Sequence, residues 1–300
     1  MARTASGTLA RVESALLALL LLACDPALPP QPTPSEYELG LWVWSNLPAT
    51  DAAAAAALIE LARDTSVTSL YMQAQTLVYD APDALQQLVV RAAAANVQVE
   101  LLIGRPEWAR ADQAGEPIQL VGDLVAFIAK AKGPRAVALQ LNIEPHGLPE
   151  WSAARAQLLL DLLDLLDKLQ PIAHKAGIAL HFDMPTWYDS IAVTRLGQTR
   201  PMSEWVIDAV DTAVLMDYDD DLPDLLDRIS SELAYADKVH KRLIVGVETQ
   251  CGLDNDLTFC EEGRTALRAT LAQLHAALKL HPAYAGQAIH HWKSLAELPK

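Results

Sequence analysis

The chain has 300 residues, of which 51% are hydrophobic, and it carries a formal net charge of −15 at pH 7. This length suits one large α/β barrel or two ordinary domains, and the apolar fraction supplies a sizeable core. The negative charge argues against binding nucleic acid or anionic lipid through charge, whereas neutral sugars remain compatible with it.

The start of the chain predicts an export signal. Arg3 and Arg11 form a weakly basic region, and the letters SALLALLLLAC then give a short apolar run that ends at Cys24. That run is too short for a stable membrane span and is typical of a cleaved secretory signal. We therefore expect residues 1–23 to be removed on export.

The end of this segment, LLAC at positions 21–24, resembles a bacterial lipobox. The resemblance implies a lipoprotein signal peptide, cleavage before Cys24, lipidation of Cys24 and a membrane anchor made of acyl chains alone. The protein would then be exported to the bacterial cell envelope, on its periplasmic or cell-surface side. An ordinary signal peptide with a chance cysteine is the alternative. Residues 24–36 follow as a Pro-rich spacer.

From residue 37 to residue 300, apolar runs alternate with amphipathic stretches without a long linker. Eight runs predict strands, at 39–44, 67–74, 97–104, 136–144, 178–184, 212–218, 243–249 and 286–292. The clearest helical periodicity lies at 51–63, 83–95, 151–176, 222–239 and 262–280. Eight strands alternating with helices close a parallel barrel, so we predict one α/β domain, a (β/α)8 TIM barrel whose last helix is short or missing. A doubly wound open sheet is the alternative, although no Gly-rich loop follows the first strand.

A row of polar residues interrupts the apolar fourth strand, which reads LQLNIEPH at 139–146. Gln140, Asn142 and Glu144 share one parity, so in an extended chain they point the same way. Such a row is costly in a core and useful in a site.

Two glutamates end strands that face each other across the predicted barrel mouth, where the active sites of this fold lie. Glu144 ends the fourth strand and Glu248 ends the seventh. Cleavage of a glycosidic bond needs two flanking carboxyls, so we predict Glu144 as general acid/base and Glu248 as nucleophile or second carboxylate. Aromatic and polar side chains near the strand ends are expected to bind sugar rings, namely Trp42, Trp187, His290 and Trp292.

Two motifs resemble the chitinase-like barrels of glycoside hydrolase family 18. The letters LMDYD contain that family's M-x-Y-D arrangement on the sixth strand, and AIHHW places a tryptophan where those barrels have a floor tryptophan on the eighth. The family's D-x-x-D-x-D-x-E on the fourth strand keeps only its glutamate here. By resemblance Glu144 is the general acid. The residues predicted to position substrate are Gln140, Asn142, Tyr218 and Asp219.

The placement of Glu144 and Glu248 also resembles the clan of retaining barrel glycosidases with glutamates on strands four and seven. In that clan an asparagine directly precedes the acid/base, whereas here Ile143 intervenes and Asn142 lies two residues before Glu144.

The cysteines and histidines suggest two other kinds of site. Cys251 and Cys260 are an even pair once Cys24 is lipidated, so a disulfide is favoured in an oxidising compartment. A metal-dependent hydrolase could use His146, His181, Asp183 and His290, but the first strand, LWVWS, lacks the H-x-H pair such sites begin with. We therefore expect no metal and no cofactor.

The sequence thus predicts a lipid-anchored glycoside hydrolase whose partner is a glycan or polysaccharide. The alternative is a non-catalytic barrel that binds carbohydrate or supports envelope assembly. Glu144 could also have a structural role, capping a strand end and pairing with Arg105.

Overall fold

Eight parallel strands close into a barrel in the computed structural model, which describes residues 37–299. The predictions on residues 1–36, including Cys24, lie outside the described residues. The barrel strands are β1 (Glu38–Val43), β2 (Ser69–Gln73), β3 (Gln98–Ile103), β4 (Ala138–Leu141), β5 (Ala179–Pro185), β8 (Thr212–Met216), β9 (Arg242–Glu248) and β10 (Tyr284–His290). Strand β1 pairs with both β2 and β10, which closes the sheet. The predicted (β/α)8 barrel is confirmed, and each predicted run overlaps one of its strands.

The connections between the strands are mostly helical. The helices are α1 (Leu47–Thr50), α2 (Ala52–Thr65), α3 (Leu77–Asp80), α4 (Pro82–Ala94), α5 (Gly115–Lys130), α6 (Trp151–Lys175), α7 (Met202–Ala209), α8 (Leu222–Arg228), α9 (Ser230–Val239), α10 (Gly263–Leu278) and α11 (Trp292–Glu297). The last helix is short, as predicted. The single helix predicted at 222–239 is wrong, because the chain breaks at Ile229. An antiparallel hairpin of β6 (Ala192–Arg195) and β7 (Gln198–Pro201) follows β5.

No helix among residues 37–299 is both long and apolar enough to cross a membrane.

The core has an outer layer between strands and helices and an inner layer inside the barrel. Leu139, Leu141 and Ile143, the apolar face of the fourth-strand octet, belong to the outer layer. The inner layer contains Trp42, Tyr71, Leu102, Val214, Ile244, Ala285 and Ala288. The period-two alternation of the sequence therefore separates the two layers, and the polar row faces the barrel interior.

Glycines make room for the large aromatic residues of the inner layer. A Cβ on Gly246 would lie 2.7 Å from the Trp42 ring and 2.9 Å from the Leu215 carbonyl oxygen. A Cβ on Gly40 would overlap the Tyr71 hydroxyl. The glycines of β1 and β9 thus allow two aromatic rings to fill the barrel, and Trp42 lies directly beneath the mouth.

Buried polar residues occupy the barrel interior near the N-terminal strand ends. The Tyr71 hydroxyl donates to Glu38 at 2.9 Å, and His181 Nδ1 lies 2.8 Å from a Glu100 carboxylate oxygen. Burial and then the nearby Glu100 carboxylate raise the pKa of Glu38 to about 7. This cluster lies away from the strand ends that form the mouth.

Candidate active site

A cavity of about 460 Å³ opens at the C-terminal ends of the barrel strands. Its lining comes from β1, β8, β10 and the segments after β3 and β4, namely Trp42, Trp44, Gly104, Pro106, Asn142, Glu144, Gly147, Met216, Tyr218 and His290. Five of the predicted site residues therefore meet in one cavity: Trp42, Asn142, Glu144, Tyr218 and His290. Trp44 and Met216 also line the cavity. Trp44 lies two residues after Trp42 and Met216 two residues before Tyr218, so each shares a face with a predicted residue.

Glu144 reaches this cavity because β4 ends early. The strand stops at Leu141, and Pro145 begins a short 3₁₀ turn. His146 Nε2 lies 3.0 Å from the Glu144 carboxylate, and the Asn142 amide also hydrogen-bonds to it. The His146 hydrogen bond is the largest cause that lowers the pKa of Glu144, although burial opposes it. Glu144 is therefore ionised at neutral pH in the free protein.

Arg105 does not form an ion pair with Glu144, the structural alternative that the sequence leaves open. Its guanidinium lies 3.2 Å from a carboxylate oxygen of Glu116 and 3.5 Å from one of Glu107. The carboxylate of Glu144 has His146 and Asn142 as partners instead.

Glu248 lies at the end of β9 but is only 3% exposed and does not line the cavity. One carboxylate oxygen accepts the backbone N–H groups of Thr249 at 2.7 Å and Gln250 at 2.8 Å. The other lies 2.7 Å from His290 Nδ1. With both oxygens engaged, Glu248 is placed to hold His290, which differs from the nucleophile that the sequence predicted.

His290 connects this buried carboxylate to the cavity. The Trp44 indole N–H donates to His290 Nε2 at 2.9 Å, so in the neutral ring the proton is on Nδ1, facing Glu248. The His290 ring centre is 5.7 Å from that of Tyr218. Burial, with the nearby carboxylates of Glu248, Asp183 and Glu144, raises the pKa of Tyr218 well above its ordinary value. The phenol therefore remains a hydrogen-bond donor.

Trp42 forms the floor of the cavity, and Asp183 fixes it from below. The indole N–H of Trp42 donates to one oxygen of Asp183 at 3.0 Å, and the Gln140 amide donates to the other. Burial is the main cause that raises the pKa of Asp183 well above its ordinary value. Gln140 is fully buried and absent from the lining, and its amide holds Asp183; contact of Gln140 with substrate stays a prediction.

Two motif residues of the chitinase-like resemblance lie elsewhere. Asp219 is 2% exposed, forms an ion pair with Arg228 and accepts the Asp221 backbone N–H at 2.8 Å. Met216 and Tyr218 line the cavity, so by alternation Asp219 points away from it. Trp292 begins α11 beyond the end of β10 and packs against the outer core. Neither residue lines the cavity, and their contact with substrate stays a prediction.

Trp187 extends the aromatic surface next to Glu144. Its side chain is 40% exposed, and its ring centre lies 5.2 Å from that of His146 and 6.1 Å from that of Trp151. His146 contacts both Trp187 and Glu144, so its side chain lies between the exposed indole and the carboxylate. It is an accessible platform beside the cavity rather than part of its lining.

The predicted disulfide is confirmed: Cys251 and Cys260 are bonded. The disulfide closes a loop from Cys251 to Cys260, which begins three residues after Glu248. The bond therefore constrains the loop next to the carboxylate that holds His290.

No group of three or more His, Cys, Asp or Glu side chains within residues 37–299 could hold a metal ion. The histidines that a metal-dependent hydrolase could use are separated. His181 pairs with Glu100, whereas His146 pairs with Glu144 and His290 with Glu248.

No protein-family model and no curated protein sequence matches this chain. Solved structures do match it. A GH18 chitinase from Pseudoalteromonas aurantia superposes with a TM-score of 0.57 at 10% identity, covering 87% of this chain and 99% of that one. Fungal β-1,4-galactanases superpose with a TM-score of 0.57 at 12% identity, covering 84% of this chain and 88% of theirs. A chitinase from Chromobacterium violaceum superposes with a TM-score of 0.51 at 13% identity, covering 87% of this chain and 98% of that one. At such low identity the likeness concerns the fold alone, the (β/α)8 barrel that these glycoside hydrolases share with the described chain.

Proposed function

We propose that the protein is a glycoside hydrolase that acts on a glycan or polysaccharide, with Glu144 as the carboxyl that reaches the glycosidic bond. One observation carries the proposal: an ionisable carboxyl, unpaired by any Lys or Arg among residues 37–299, enters an aromatic cavity at the C-terminal strand ends. Active sites of this fold lie at those ends. Sugar rings stack on indole and phenol faces, which Trp44, Tyr218 and Trp187 offer.

Proton transfer at Glu144 depends on what covers it. In the free protein its carboxylate accepts from His146 and Asn142, which favours the charged form. A bound sugar would exclude water from the carboxylate, and desolvation raises the pKa of a carboxyl. Glu144 would then exchange a proton with the glycosidic oxygen or with an attacking water, the general acid/base role predicted for it.

Glu248 contributes through His290 in this proposal. The carboxylate fixes the Nδ1–H tautomer, so His290 presents its Nε2 edge beside Trp44, where a substrate hydroxyl can compete with the indole N–H. The second carboxyl of the two-carboxylate scheme therefore acts as a positioning residue. A nucleophilic role for Glu248 would require both backbone hydrogen bonds and the His290 contact to rearrange.

The test is a glycan panel assayed for reducing ends with wild type, Glu144→Gln and Glu248→Gln, alongside melting curves. Glu144→Gln should keep its melting temperature and lose at least about 10²-fold in turnover, since the amide cannot donate or accept the proton. Glu116→Gln, an exposed carboxyl outside the cavity, is the matched control. If the wild type binds a glycan without turning it over, and both variants bind equally well, the non-catalytic binding barrel replaces the enzyme.

We also propose that the protein is exported and lipid-anchored through Cys24. The LLAC motif supports this, and so does a disulfide, which persists in oxidising compartments. Cells fed a labelled fatty acid should label the wild type, whereas Cys24→Ala should carry no label while the barrel still folds. Label on Cys24→Ala would contradict the lipobox.

A further inference from the structure

One carboxylate, that of Glu144, enters the cavity at the mouth. Among the described residues that line it, Glu144 is the only acidic residue and none is Lys or Arg. Arg105, which adjoins the lining residues Gly104 and Pro106, directs its guanidinium to Glu107 and Glu116. The carboxylate of Glu248 lies directly behind His290. A ligand that enters therefore meets a carboxylate that is paired with His146 and with no Lys or Arg among the described residues.

The side chain of Asn142 places a hydrogen-bond acceptor that has no donor beside Glu144. Its amide N–H group is used on Glu144, and its carbonyl Oδ1 is buried without a hydrogen-bond partner. A buried acceptor left unsatisfied is costly, so Oδ1 is placed to accept from a ligand. Carboxylate and carbonyl thus present two adjacent acceptors on one side of the cavity.

The aromatic lining suits the same kind of group. Trp44 and Tyr218 line the cavity together with Glu144, and aromatic faces attract cations. An ammonium group has three N–H donors and a positive charge, which match a carboxylate, a carbonyl and a ring face. Uronic or sulfated sugars would be repelled by Glu144, and N-acetylation would remove the charge that the cavity complements.

We propose that the cavity selects a glycan containing hexosamine residues with free amino groups, the ammonium binding the Asn142 carbonyl beside Glu144, whose carboxylate stays ionised and so acts as the base on the attacking water. This proposal rests on the proposed function, which it deepens by naming the substrate class. The net charge of −15 acts in the same direction, since it attracts cationic polymers over a longer range.

The experiment compares three oligosaccharides of equal length and β-1,4 linkage: glucosamine, N-acetylglucosamine and glucose hexamers. Binding is measured by calorimetry, and cleavage by mass spectrometry, at a pH where the free amine is protonated. The glucosamine hexamer should bind at least about tenfold more tightly than the other two, and the advantage should shrink in high salt.

Variants separate a local site from general attraction to an acidic protein. Asn142→Leu keeps the net charge but removes the carbonyl, and Glu144→Gln removes the carboxylate, so each should abolish most of the preference. Glu107→Gln removes one charge outside the lining and should keep it. Equal or tighter binding of the acetylated or neutral hexamer, or equal loss in Glu107→Gln, would overturn the amino-sugar proposal while leaving a hydrolase of other glycans in place. Failure to bind or cleave any member of a wider glycan panel would overturn the proposed function as well.

Discussion

Trp42 can form the cavity floor because Gly246 on β9 has no side chain. The indole fills the space that a Cβ would need, and its N–H reaches Asp183 only in that position. A single hydrogen atom in place of a methyl group therefore determines whether the floor is flat, buried and hydrogen-bonded. The preference for glycine follows from close approach, since Gly246 does not have a positive φ.

We expect Gly246→Ala to destabilise the protein by about 1 to 3 kcal/mol, the usual cost of overpacking a core. The added Cβ would meet the Trp42 ring at 2.7 Å and the rigid Leu215 carbonyl at 2.9 Å, so the indole must move. Urea unfolding followed by tryptophan fluorescence measures both effects. Gly122→Ala in α5, where a Cβ meets nothing within 4 Å, should be neutral or stabilising. An unchanged midpoint in Gly246→Ala would mean that Trp42 tolerates displacement.

The alternation of residues predicted which side of β4 carries Asn142 and Glu144, because parity alone decides the face. It could not predict that Glu248 is enclosed. That outcome depends on His290 from β10 and on the backbone N–H groups of the next two residues, and neither is visible as a pattern along β9. The Glu144–His146 contact had a local signal, since the two residues are two positions apart at a strand end.

At the level of elements, the hairpin of β6 and β7 was missed because its turn has an unusual residue. Leu196 and Gly197 form a two-residue turn, and both have positive φ, 53° and 76°. Such turns favour Asn-Gly, and a leucine in the left-handed region is strained. The prediction of one helix across Ile229 was wrong because the apolar spacing continues through this residue, whereas the helical backbone is interrupted there.

Leu196→Asn should stabilise the hairpin by roughly 0.5 to 1 kcal/mol, because asparagine tolerates the left-handed region better than leucine. Leu196 is 83% exposed, so little packing is lost. A rise in melting temperature checks this. Leu280→Asn, at an exposed leucine without positive φ, is the matched control and should not stabilise. If both variants shift equally, removal of exposed apolar surface is the cause rather than turn conformation.

For the whole molecule, the alternation of eight apolar runs with amphipathic helices predicted the closed barrel, because few folds satisfy that order and count. The same reasoning could not distinguish a strand-end aspartate that faces the mouth from one that faces the helices. Asp219 is held by Arg228, which lies nine residues later as the last residue of α8, and this pairing depends on where α8 begins.

Buried carboxyls give the whole molecule a pH dependence of stability. Asp217 is fully buried and both its oxygens lack partners. Burial, the largest cause, raises its pKa from 3.8 to about 8, and likewise raises the pKa of Glu232 to about 7. A carboxyl with a higher pKa in the folded state binds more protons there than in the unfolded chain. Its contribution is therefore greatest below the unfolded pKa and is lost as pH rises toward the folded value.

We expect the free energy of unfolding to fall between about pH 4 and pH 8, and Asp217→Asn to flatten this slope by up to about 1.4 kcal/mol per pH unit. Urea titrations at several pH values measure the slope. The net charge of −15 acts in the same direction, so the series is repeated in high salt, which screens surface repulsion much more than a buried group. Glu60→Gln removes one exposed carboxyl and should keep the wild-type slope. If Asp217→Asn and Glu60→Gln give the same profile in high salt, surface charge rather than the buried Asp217 sets the pH dependence.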